Sequence, residues 1–179
     1  MKALLIAAAL CASTVTLIAQ DIEVKNLTDR EYQKRFNELT QRGYRPVKVS
    51  SKVLSVFDYV EGERPRFGYW ATFRKVPNSP AWSARHGIDA TAYQQEFDAR
   101  TRQGYMPTDI NVACVGNEVR YCVIYEKIPN AGAWIARHNL NRAAFDKANS
   151  DATRQGFKRK ITTFCSTPSG PIYAALWQK

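Results

Sequence analysis

The stretch that decides the fold starts at Ile88-Asp89-Ala90-Thr91-Ala92-Tyr93, runs through Phe97 and Thr101-Arg102-Gln103-Gly104-Tyr105, and closes on Tyr121-Cys122-Val123-Ile124-Tyr125 and Trp134-Ile135-Ala136-Arg137-His138. An earlier copy supplies Leu27, Tyr32, Phe36, Thr40, Gly43 and Tyr44, then Tyr69, Ala71, Phe73, Trp82 and Ala84-Arg85-His86. A later, shorter copy supplies Leu140, Phe145, Thr153, Gly156, Phe157, Tyr173, Ala175 and Trp177. Self-similarity at one period marks stacked copies of a unit too small to bury its own apolar face.

Each copy opens with a helix-start signal. Thr28 followed by Glu31 is a capping box, with Leu27 and Tyr32 spaced as a hydrophobic staple; Asp89 and Asn141 are the equivalent caps. Tyr32, Phe36 and Leu39, then Tyr93 and Phe97, then Phe145, Ala148 and Ala152 follow helical spacing. Gly43, Gly104 and Gly156 end the three helices, each followed by an aromatic residue. Two strands follow in every copy, around Val47–Val49, Ile110–Val112 and Ile161–Phe164, and then through Tyr69, Tyr121 and Tyr173. The second strand is largely apolar on its opposite face too, through Trp70 and Thr72, Cys122 and Ile124, and Ala174 and Leu176, and must therefore be covered twice. The expected class is α+β: three tandem helix–β-hairpin repeats (27–87, 88–139 and 140–179) forming one curved antiparallel sheet of about six strands, helices on one face, within a single domain over 20–179. Copy one carries about nine extra residues between its strands, around Phe57, Tyr59, Glu61 and Arg64, since Gly43 to Tyr69 is 26 residues where Gly104 to Tyr121 is 17. Insertions in repeat proteins map to loops and often to the binding face. Phe57, Tyr59, Glu61 and Arg64, with neighbouring Trp70, are the candidate binding residues, against the alternative of a long hairpin with no role.

Residues 1–19 have the early cation, apolar run and small residues of a signal peptide, with cleavage after Ala19 or nearer Ala12. Ser13, Thr14 and Thr16 interrupt the run and argue against a spanning helix, and bulky Leu10 argues against a lipid anchor on Cys11. An exported protein of extracellular or periplasmic location is expected, with no transmembrane segment after signal removal. The formal charge of +10 becomes +9 without Lys2. The charges are scattered, which fits a solvated surface or an anionic cell-surface polymer; nucleic acid is not an expected partner outside the cell. Cys114 and Cys122 flank Gly116-Asn117 and suit a cross-strand disulfide, while Cys165 is an alternative partner for Cys122.

Trp82, Arg85 and His86, repeated as Trp134, Arg137 and His138, are the most chemical-looking residues. The motif occurs only where one copy hands over to the next, which is the distribution of a connector and not of an anion or metal site; two histidines without a Cys or acidic cluster are a weak metal signal. No G-x-S-x-G or S-x-x-K motif occurs, so neither a catalytic residue nor a cofactor is assigned. The Asn26-Leu27-Thr28 sequon sits at a helix start.

Gln103-Gly104-Tyr105, Arg120–Tyr125 and Trp134–His138, with their equivalents, resemble the bacterial tandem repeat domain, which also forms the amino-terminal part of polyglycine hydrolases. The resemblance covers Leu27 to Lys179. In that family the repeats often accompany a β-lactamase-like serine hydrolase domain, which this sequence lacks. The resemblance therefore carries over no catalytic residue and assigns the repeats no activity. The expected function is a secreted non-catalytic module binding an unknown protein or anionic cell-surface polymer; the alternative is an accessory subunit or remnant of a secreted serine hydrolase.

Overall fold

A computed structural model describes residues 20–54 and 66–179. The elements follow in the order β1 (Ile22–Leu27), α1 (Asp29–Gln41), β2 (Arg45–Val53), β3 (Phe67–Arg74), β4 (Trp82–Ile88), α2 (Ala90–Arg102), β5 (Met106–Val115), β6 (Glu118–Glu126), β7 (Trp134–Leu140), α3 (Arg142–Arg154), β8 (Lys158–Thr167) and β9 (Gly170–Gln178). The described strands number nine and form three separate antiparallel sheets, ordered β1-β3-β2, β4-β6-β5 and β7-β9-β8. This overturns the single curved sheet of about six strands. The missing strands are β1, β4 and β7, each of which precedes its helix and pairs with the last strand of its own unit. Trp82-Ser83-Ala84-Arg85-His86 thus pairs with β6 (Trp82 opposite Glu126, Arg85 opposite Val123), so by hydrogen bonding it opens unit two, and the sequence-derived boundaries at 87/88 and 139/140 move ahead of Trp82 and Trp134. In unit one, Ile22-Glu23-Val24-Lys25 occupies the same place.

The local signals act three times. Thr28 and Glu31 form the reciprocal capping box on α1, and the side chains of Asp89 and Asn141 accept from the backbone N–H of Ala92 and Ala144. Gly43, Gly104 and Gly156 have φ of 80°, 82° and 81°, the left-handed helix stop that a side chain would strain. Bulges fall at matching places, between Pro46/Lys48, Pro107/Asp109 and Arg159/Ile161. In the first strands they fall at Asn26, Gly87 and Asn139, all with positive φ. Gly87 needs glycine twice over, because a Cβ there would collide with the Tyr69 hydroxyl.

Middle strands β6 and β9 each turn one face to their own helix and the other to the preceding unit. Tyr121, Val123 and Tyr125 pack under α2, while Cys122 and Ile124 join the core of unit one with Tyr32, Leu39 and Phe73. Likewise Tyr173, Ala175 and Trp177 pack under α3, and Ala174 and Leu176 join the core of unit two. The sheets therefore stack, the outer face of each later one covering the helix-side face of the one before it. Fully burying a side chain such as Ile124 or Leu176 contributes about 2 kcal/mol.

The stack is locked at sheet edges. In β2 the backbone N–H groups of Val49 and Ser51 point away from β3, and they donate to Asp109 Oδ2 (2.7 Å) and Asn111 Oδ1 (2.8 Å) of β5. Arg45 pairs with Glu126 across the same joint at 2.9 Å, both side chains largely buried. The second joint uses other means at the same positions. Val112 N–H donates to Thr163 Oγ1 at 3.3 Å, Ile161 stands where Asp109 stood, and a disulfide links Cys114 to Cys165 with 5.6 Å between Cα atoms. That bond corrects both pairings expected from sequence. The hairpin register sets Cys114 opposite Val119 and Cys122 opposite Asn111, so the two cysteines are not cross-strand neighbours; Cys122 is a buried free thiol in the first joint.

Two outcomes follow from these joints. Val53 and Ala113 occupy in the first joint the places of Cys114 and Cys165, so a Val53→Cys/Ala113→Cys variant should oxidise to a second disulfide, seen as loss of two thiols, and gain about 2–4 kcal/mol in urea unfolding. Burial raises the Asp109 carboxyl above its usual range despite the Val49 hydrogen bond. Asp109→Asn, which keeps the acceptor without the buried charge, should therefore match or exceed the native urea midpoint at pH 7, whereas Asp109→Leu should lose about 1–3 kcal/mol by stranding the Val49 N–H.

Candidate functional site

The repeated Trp, Arg and His lie at the joints. From β4, His86 sets its ring 4.5 Å from Tyr32 of α1 and 5.0 Å from Tyr69 of β3, with Nε2 3.3 Å from Asp29. Trp82 meets Phe36 edge-on at 6.1 Å. In the next joint His138 lies 4.4 Å from Tyr93 and 5.5 Å from Tyr121, and Trp134 lies 6.0 Å from Phe97. Both imidazoles are thus held between a helix tyrosine and a strand tyrosine of the preceding unit. Burial pushes both below the ordinary histidine range; Asp29 pulls His86 partly back, as does the Ala90 backbone for His138. A neutral ring in an aromatic slot packs and hydrogen-bonds, and the two rings serve separate joints rather than one cavity.

Arg85 and Arg137 protect exposed strand edges. Lys127 N–H donates to Ala81 O, which fixes the antiparallel phase and turns the Ala84 carbonyl away from β6. Arg85 Nη1 donates to that carbonyl at 2.9 Å, and Arg137 does the same for Ala136 at 2.9 Å, which blunts an edge open to strand addition. Arg85 also reaches Glu96 of α2, a place taken by Ala148 in unit three. Among the described residues no group of three or more His, Cys, Asp or Glu side chains is placed to hold a metal ion, and no helix is long and apolar enough to cross a membrane.

The outer face of unit one lies outside the joints. Lys48, Ser50, Lys52, Trp70 and Thr72 stand there at the places of Asp109, Asn111, Ala113, Cys122 and Ile124. Among the described residues no sheet covers them. Lys48 and Lys52 are exposed, Trp70 is half-buried, and Lys52 Nζ lies 5.5 Å from the Trp70 ring centroid. A shallow depression of about 100 Å³, lined by Glu23, Lys25, Lys48, Ser50, Trp70 and Thr72, runs beside the indole. Of the binding residues expected from sequence, Trp70 is on this face; Phe57, Tyr59, Glu61 and Arg64 lie outside the described residues, as does the signal segment 1–19. Lys48 and Lys52 escape a reading of composition because the charges look scattered. Superposing the repeats position by position would find them, since only unit one has cations where the others have joint residues.

The histidine geometry gives a pH signature. Because both folded-state pKa values lie below the ordinary value of 6.5, the unfolded chain binds protons first, and joint stability is lost as pH falls below about 6.5. A His86→Phe/His138→Phe variant should stay folded and show a flatter urea midpoint between pH 7.5 and 5, the native slope being at most about 1.4 kcal/mol per histidine per pH unit. Equal slopes would contradict the assignment.

Comparison with curated proteins gives no match. A family model described as polyglycine hydrolase-like, structural repeat, matches residues 25–52, 79–128 and 131–179. The second and third segments open just before Trp82 and Trp134 and so contain whole β-α-β-β units. With most of its residues in these three segments, the chain belongs to the polyglycine hydrolase-like structural repeat family.

Proposed function

We propose that the protein is a secreted, non-catalytic repeat module that binds an anionic cell-surface polymer through the outer face of unit one. The observation that carries this reading is the exchange at equivalent positions: Asp109, Ala113 and Cys122 in unit two become Lys48, Lys52 and Trp70 in unit one. Two ammonium groups flanking an indole suit an acidic glycan, the cations meeting its charge and the ring offering a flat apolar surface to a sugar. The formal net charge, +10 for the full sequence and +9 without Lys2, adds a long-range attraction. The non-catalytic part is supported by the motif side chains, whose imidazoles and guanidinium groups are taken up at joints and strand edges.

Polygalacturonate and dextran sulfate serve as probes. Binding should weaken steeply with added salt and fall roughly tenfold, about 1.4 kcal/mol, in Lys48→Glu/Lys52→Glu, with a smaller loss in Trp70→Ala. Unchanged binding by the lysine variant would refute the assignment. The family description favours one other reading, an accessory module of a secreted serine hydrolase. Stimulation of a serine hydrolase's peptide cleavage by the native protein that disappears with a folded His86→Ala/His138→Ala variant would put that reading in its place.

A further inference from the structure

The helix-side face of unit three is the same surface that units one and two use to receive the next sheet, and here it is open. At equivalent places the first two units bury Val49 and Ile110, then Ser51 and Val112, whereas Thr162 is exposed and Phe164 is 59% exposed. The Phe164 ring stacks on Tyr173, centroids 5.4 Å apart. By the phase of the ladder, the N–H groups of Thr162 and Phe164 point outward from β8, as those of Val49, Ser51 and Val112 do from their strands. At the start of the strand, exposed Lys158 stands where Arg45 meets Glu126.

We propose that this face docks a further β-α-β-β unit carried by another polypeptide. The two joints of this chain define the chemistry of that unit: small side chains opposite Phe164, as with Cys122 and Ala174, a carboxylate or amide for the outward N–H groups, and an acid for Lys158. A second copy of this chain does not qualify, because its free outer face carries Trp70 where a small residue is needed and Lys48 and Arg74 where Asp109 and Glu126 stand. Bulk and like charge thus stop the protein from stacking head to tail into an open filament, a hazard of any heterologous interface. The inference concerns the end of the stack opposite to the polymer face and does not rest on it.

The probe is the protein itself with its outer face converted to the joint type and its own open face closed: Lys48→Asp/Lys52→Ala/Trp70→Ala/Arg74→Glu/Phe164→Lys. Sedimentation velocity should find the native protein and the probe each monomeric alone, and a one-to-one complex when they are mixed. The complex should be absent when Phe164→Lys protein replaces the native partner. A folded probe, by circular dichroism and thermal unfolding, that leaves the native protein monomeric would overturn the proposal, and so would equal binding to native and Phe164→Lys protein. Should the five-fold variant fail to fold, Trp70→Ala/Arg74→Glu/Phe164→Lys carries the same test with the same two outcomes.

Discussion

Strands β6 and β9 carry apolar side chains on both faces, and everything else in the molecule accommodates that fact. A three-stranded sheet with a single helix can shelter only one face. Cys122, Ile124, Ala174 and Leu176 would otherwise meet water, so each unit must be laid on the one before it. Burial of this kind is non-directional and does not fix register. The register is fixed at the strand edges, where Asp109, Asn111 and Thr163 accept from outward N–H groups that water could not reach once the sheets have closed.

The two joints solve the same problem with different chemistry. The first relies on a buried Arg45–Glu126 pair and two side-chain acceptors; the second has Met106 and Gln178 in place of the ion pair and one weaker acceptor, and adds the Cys114–Cys165 bond. A buried ion pair sets alignment more than it adds stability, since desolvating both charges offsets much of their attraction. A covalent link acts mainly by restricting the unfolded chain. Stability in such a stack is a sum of neighbouring joints, so the means can differ while the architecture does not.

This arrangement accounts for where the most reactive-looking side chains sit. The imidazoles of His86 and His138 sit between pairs of tyrosines, and the guanidinium groups of Arg85 and Arg137 close strand edges. The two ends of the stack differ in kind: Lys48, Lys52 and Trp70 stand at one, Phe164 and Thr162 at the other. The outer face of unit one is polar and basic, whereas unit three leaves an aromatic ring showing.

Three units, three helices with their caps and stops, the paired strands after each helix and the family were all legible in the sequence, because each rests on short-range physics that acts within a few residues: Thr28 with Glu31, Gly104 before Tyr105, Tyr121 alternating with Val123 and Tyr125. The strand before each helix was missed: Ile22-Glu23-Val24-Lys25 reads as a polar lead-in and Trp82-Ser83-Ala84-Arg85-His86 as a connector until their pairing with β3 and β6 is seen. Which strands share a sheet, and which thiol meets Cys114, only the tertiary structure decided. A side chain's alternation says that it has two faces, not what covers the second. Asp109 and Cys165 acquire their partners from segments 60 and 51 residues away, brought there by the packing of whole sheets.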